Sequence, residues 1–211
     1  MKPFFAKGST VLFYGDSITD VGRDREDFYG LGNGYPAKTA AIYHSLFAEN
    51  EVTFLNRGIS GDTSAQLLER YETDVKALKP DYISILIGIN DTWRRYDSAR
   101  YTSTEQFEAN YRRLISWIRR DLPDCRIILM EPWLLSSDPQ KEVWHGDFDP
   151  KRETVNRLKS EGDYFLTTTE IFEEAKKGGV TDADISADGV HPTDFGHGLI
   201  TLGWMKNLGI L

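Results

Sequence analysis

Apolar residues fall in two alternating patterns along the chain. Short apolar runs recur at Thr10–Tyr14, 52–55, 82–87 and Arg126–Met130, with a weaker one at 164–167. Each is about the length of a buried strand. Between them, apolar residues recur at helical spacing. Tyr35–Phe47 reads as a helix. Thr63 and Gln66 have capping-box spacing, and Leu67, Leu68, Tyr71, Val75 and Leu78 then line one face until Pro80 stops it. Thr102 and Glu105 form another candidate box, followed by Phe107, Tyr111, Leu114 and Ile118 up to Pro123. A polar helix is expected near 152–159 and a last helix over 195–207.

Strands that alternate with amphipathic helices predict βα units and a parallel sheet covered on both faces. No repeat, linker or low-complexity tract divides the chain, so a single domain over 1–211 is expected. In such sheets, ligands bind beyond the carboxyl ends of the strands. Three polar clusters stand there: Gly15-Asp16-Ser17, 56–63 and Gly88-Ile89-Asn90-Asp91. The pattern therefore gathers them at one rim.

Charge and composition narrow the possible partners. Asp and Glu total 33 against 25 Lys and Arg, a formal net charge of -8. Such a field disfavours nucleic acid and anionic membrane surfaces. No apolar run approaches the roughly 20 residues that span a bilayer. Lys7 interrupts what would be the apolar region of a signal peptide, so a cytoplasmic protein is expected. The one cysteine, Cys125, forms no internal disulfide and reads as inert core.

Ser17, at a strand-to-loop turn, can present its hydroxyl at the rim. A serine nucleophile needs a base, and the base needs an orienting acid. Of the four histidines, His44 reads as a helix residue and His145 as part of a surface loop. His191 differs, because Asp188 precedes it by three residues in Asp188-Gly189-Val190-His191-Pro192. In a tight turn that spacing lets the carboxylate reach the imidazole, and Pro192 restrains the backbone of His191. Gly61 can offer an unobstructed N–H and Asn90 a side-chain amide, the donors that a developing oxyanion requires.

Asp188, His191, Asp194 and His197 also recur at steps of three, with donor types suited to a metal. Pro192 and Gly196 interrupt any shared helix face, so no metal is expected, and His197 is expected to pack or hydrogen-bond at the start of the last helix. Trp93, Tyr96, Trp133 and Trp144 suit stacking on sugar rings, which leaves a non-catalytic carbohydrate-binding module as the reading from another class. Such a module has no need of Ser17, Asp188 and His191.

Gly15-Asp16-Ser17-Ile18-Thr19-Asp20 resembles the first block of the GDSL, or SGNH, hydrolases. Residues 56–63 resemble the second block, Gly88-Ile89-Asn90-Asp91 the third and Asp188-Gly189-Val190-His191-Pro192 the fifth. The resemblance implies a flavodoxin-like three-layer α/β/α sandwich around a parallel sheet of about five strands. It implies Ser17, Asp188 and His191 as catalytic triad, and Ser17, Gly61 and Asn90 as oxyanion hole. Residues 15–23, 56–63 and 88–96 are similar to intracellular xylan acetylesterases of this superfamily. That likeness implies a serine esterase acting on small acetylated sugars without a cofactor, in a homo-oligomer. Asp16, Trp93, Arg94 and Tyr96 are the expected substrate contacts. Lysophospholipases and short-chain carboxylesterases of the superfamily are the alternative. The family often has Trp before its triad Asp, where this chain has Ala187.

Overall fold

The computed structural model describes residues 2–211. Five strands alternate with helices: β1 (Thr10–Gly15), α1 (Ser17–Asp20), α2 (Tyr35–Phe47), β2 (Thr53–Gly58), α3 (Ser64–Glu69), β3 (Tyr82–Leu86), α4 (Ile89–Asp97), α5 (Thr104–Asp121), β4 (Arg126–Met130), α6 (His145–Arg157), β5 (Tyr164–Leu166), α7 (Thr168–Lys177), α8 (Asp182–Ile185) and α9 (Asp194–Asn207). The strands pair in the order β2-β1-β3-β4-β5, all parallel.

Strand side chains alternate between two cores, as the two-residue period requires. Val11 and Phe13 pack on one face with Tyr43 and Phe47 of α2, Phe172 of α7 and Trp204 of α9. Leu12 and Tyr14 pack on the other with Leu67 of α3, Phe107 and Leu114 of α5 and Val155 of α6. The result is a three-layer α/β/α sandwich.

Helix starts follow local chemistry. Gln66 Oε1 accepts from the backbone N–H of Thr63 at 2.9 Å, the expected reciprocal cap. In place of the box expected at Thr102, a single cap bond forms one residue later. Ser103 Oγ accepts from Gln106 N at 3.1 Å and starts α5. The helix expected to run to Leu78 breaks after Glu69 and resumes as a single wide turn over Glu72–Lys76. At the break, Arg70 turns back to the sheet and donates to the carbonyls of Gly15 (2.9 Å) and Arg57 (2.6 Å) and to Asp62 (2.7 Å). One guanidinium thereby ties the ends of β1 and β2 to the loop that follows β2. The polar helix near 152–159 belongs to the longer α6.

Candidate active site

The ends of β1, β2 and β3 bring the three polar clusters together. Ser17, Ser60, Gly61, Asn90, Trp93, Arg94, Asp97 and His191 line one open cleft of about 350 Å³. Ser17 is the first residue of α1. Gly15 makes this turn possible, since a Cβ there would lie 2.3 Å from the carbonyl oxygen of Leu86.

Ser17 Oγ lies 3.1 Å from His191 Nε2, and His191 Nδ1 lies 2.8 Å from Asp188 Oδ2. The carboxylate partner makes Nδ1 the protonated nitrogen and leaves Nε2 to accept the serine proton. Asp188 Oδ1 accepts the backbone N–H groups of Val190 (2.9 Å) and His191 (2.7 Å) and the hydroxyl of Ser186 (3.1 Å). Burial opposes ionisation of Asp188, but the bonds from His191 and the turn outweigh it and hold its carboxyl well below the usual carboxylate range. The Asp188 hydrogen bond raises the pKa of His191 against partial burial, with Asp16 adding to the rise.

Helix α4 grips the loop after β2 at two consecutive carbonyls. Asn90 Nδ2 donates to Asp62 O, and Arg94 Nη2 to Gly61 O, each at 3.0 Å. An amide nitrogen carries two hydrogens, so Asn90 keeps one for a ligand. Arg94 is in turn paired with Asp97. From the other side, Asp20 Oδ2 accepts both the N–H and the hydroxyl of Ser60 at 3.0 Å.

Two expected substrate contacts are placed elsewhere. Asp16 is 1% exposed, and its Oδ1 accepts the N–H of Ile18 at 3.0 Å. It caps α1 instead of facing the cleft, and burial raises its pKa to about 7 despite that bond. Tyr96 stacks on Trp144 at 5.1 Å and donates its hydroxyl to Val143 O, outside the cleft lining. Trp93 and Arg94 do line it. Trp93 stands 5.7 Å from His191 and 5.1 Å from Trp144, ring to ring. Trp133 is 2% exposed and is no sugar platform; its indole donates to Val190 O at 3.1 Å.

The run of metal-type side chains is dispersed. Asp194 pairs with Lys38, and His197 Nδ1 accepts from Tyr35 N at 3.2 Å. Among the described residues no group of three or more His, Cys, Asp or Glu side chains is arranged to hold a metal ion. His145 opens α6 with its Nδ1 3.2 Å from Asp149, not a loop, and Cys125 is buried and free.

A serine hydroxyl against an imidazole, with a carboxylate behind it and Gly61 and Asn90 in the same cleft lining, can carry acyl transfer. Comparison with known proteins agrees. The model of the GDSL-like lipase/acylhydrolase family matches residues 13–199. The chain belongs to this family. It is a carboxylic ester hydrolase of the SGNH type. An acetylxylan esterase of Geobacillus stearothermophilus is 33% identical over 218 residues, covering 96% of this chain and 94% of that one. A crystal structure of an acetylxylan esterase from the same organism superposes with TM-score 0.86 at 33% identity, covering 99% of this chain and 97% of that one. A GDSL-like chain from Parabacteroides merdae superposes with TM-score 0.92 at 34% identity, covering 100% of both. Among the described residues no helix is long and apolar enough to cross a membrane.

The motif reading missed the residues that hold the site. Ser60 and Asp20 sit inside the quoted blocks and were readable there. Arg70 carries no local signal toward the site, because the strand-end carbonyls that it binds lie on other elements.

Proposed function

We propose that this hydrolase removes acetyl groups from small acetylated sugars, xylo-oligosaccharides among them, through an acyl-enzyme. The observation that carries the reading is the Ser17–His191–Asp188 run of hydrogen bonds, set in a small open cleft with Trp93 beside the imidazole.

Ser17 Oγ attacks the ester carbonyl while His191 Nε2 takes its proton. Asp188 holds the imidazole and stabilises its cationic form. The backbone N–H groups of Ser17 and Gly61 and the free amide hydrogen of Asn90 receive the oxyanion. His191 then protonates the leaving sugar oxygen, and acetyl stays on Ser17. Water enters with His191 as base, and acetate leaves. The chemistry is complete with these side chains and water. Trp93 supplies an apolar face for a sugar ring, the packing that carbohydrate C–H faces favour. The acetyl-sugar assignment draws support from the acetylxylan esterase relative and from a related solved structure described as an acetyl-xylooligosaccharide esterase. The reading includes a cytoplasmic, homo-oligomeric enzyme acting on imported oligosaccharides.

The test is Ser17→Ala. Exchanging hydroxyl for hydrogen leaves almost no cavity, so the variant should fold, and triad losses cost on the order of 10⁴-fold or more. An organophosphate should label Ser17 in the wild type, read by mass spectrometry. Near-normal turnover in pure Ser17→Ala, or an adduct elsewhere, sinks the mechanism.

A further inference from the structure

One stretch of chain, residues 133–141, binds four parts of the turn that carries Asp188 and His191. Trp133 Nε1 donates to Val190 O at 3.1 Å, and Leu135 N to Gly189 O at 2.9 Å. Ser137 Oγ donates to Ser186 O at 2.5 Å, and Lys141 Nζ to Asp188 O at 2.7 Å. Four carbonyls of the turn thus meet four donors of that stretch. Lys141 is the charged one of the four. Its side chain is 11% exposed, its counter-ion is Asp138 at 2.7 Å, and its ammonium lies 5.4 Å from the Trp93 ring and 5.6 Å from the Trp144 ring. Both ring distances are in cation–π range. One ammonium therefore touches the acid's own residue and the aromatic wall of the cleft.

We propose that Lys141 is a positioning residue for ester cleavage, bracing the Asp188–His191 turn against the Trp93–Trp144 wall. The proposal rests on Ser17 and His191 acting as nucleophile and base. A half-buried ammonium is costly unless its hydrogens find partners, and here two meet oxygens while the rest of the charge faces aromatic rings. Removing it leaves the Asp188 carbonyl and the Asp138 carboxylate short of a donor. The turn then loses its register with Ser17, where a displacement of about 1 Å can cost 10²-fold in rate.

The charge gives a second readout. His191 faces Asp188 on its own turn, Asp16 at the end of β1, and Lys141, which opposes its protonation. Arg94 and Asp97 line the same cleft from α4, His197 stands on α9, and Asp138 sits behind Lys141. Deleting the Lys141 cation favours the imidazolium. Deleting the Asp138 anion disfavours it.

The experiment compares Lys141→Met, Lys141→Arg and Asp138→Asn with wild type on p-nitrophenyl acetate across pH, with Ser17→Ala as control. Lys141→Met should lower kcat about 10-fold with KM nearly unchanged, and move the acid limb of kcat/KM to higher pH by about half a pH unit. Lys141→Arg should restore most of both. Asp138→Asn should move the limb the other way, to lower pH, and it tests the proposal even if Lys141→Met does not fold. A raised KM at unchanged kcat, or limbs that stay put in Lys141→Met and Asp138→Asn, overturns the brace while a dead Ser17→Ala leaves the reading beneath it standing. Turnover in Ser17→Ala overturns both.

Discussion

Arg94 Nη2 donates to the carbonyl oxygen of Gly61 at 3.0 Å, and Gly61 holds a φ of +89°. The two facts belong together. A Cβ on Gly61 would lie 2.5 Å from that same Arg94 nitrogen. The backbone here is left-handed, which favours glycine, and an added Cβ would displace the mobile Arg94 guanidinium from the Gly61 carbonyl. An alanine would pay about 1–2 kcal/mol for the conformation alone.

Gly61→Ala should therefore cost activity more than stability. The Gly61 N–H is one of the proposed oxyanion donors, and moving the peptide misaims it. A kcat loss of roughly 10–10³-fold is expected, with a thermal midpoint lowered only modestly. A variant with wild-type kcat would remove Gly61 from the oxyanion hole. Unfolding at ambient temperature would show that the loop is structural first.

Asn90→Ala separates two tasks of one amide. One hydrogen holds Asp62 O, and the other is the one proposed to meet the oxyanion. A donor that acts mainly on the transition state lowers kcat, here by roughly 10²–10³-fold, and leaves KM nearly alone. Steady-state kinetics on p-nitrophenyl acetate decide this. A large rise in KM at constant kcat would make Asn90 a ground-state contact.

The pH dependence follows from the sign of the His191 shift. The base works only when neutral. Its pKa lies above the ordinary histidine value, first through the Asp188 hydrogen bond. Hence kcat/KM should fall as pH drops through a limb placed above about 6.5. Asp188→Asn removes the largest raising cause, so the limb should move to lower pH while kcat drops by up to about 10⁴-fold. A limb that stays in place in Asp188→Asn would part Asp188 from His191.

The strand-end logic explains why so much of this site was legible. Ser17, Gly61 and Asn90 each follow an apolar run, and a parallel sheet delivers such positions to one rim whatever their separation along the chain. His191 was legible because Asp188 lies within one turn of it. Asp16 shows the limit of that logic. Its position predicts the rim, but a short carboxylate beside a helix start is captured by the nearest N–H groups, here that of Ile18. Lys141 was not legible at all. It lies in an aperiodic polar stretch, and its partner Asp188 is 47 residues away. The wide turn after Glu69 was hidden for the same reason, since the partners of Arg70 are strand-end carbonyls.

Substrate choice is tested by acyl length and by the sugar wall together. The cleft is small and open, lined by Ser60, Gly61 and Arg94, with Trp93 against His191. In a lipase-like groove each added methylene gains about 0.8 kcal/mol of burial, so rates should climb with length. Here the order should reverse: p-nitrophenyl acetate cleaved much faster than the butyrate, and the octanoate barely at all. Acetylated xylose and xylo-oligosaccharides should lose acetyl groups, followed by acetate release. Trp93→Ala should then impair the sugar esters more than p-nitrophenyl acetate, because only the former place a ring against the indole. Equal losses on both would assign Trp93 to holding His191 rather than to the sugar. Rates that rise from acetate to octanoate would refute the acetylesterase reading and favour a lysophospholipase or lipase of the same superfamily.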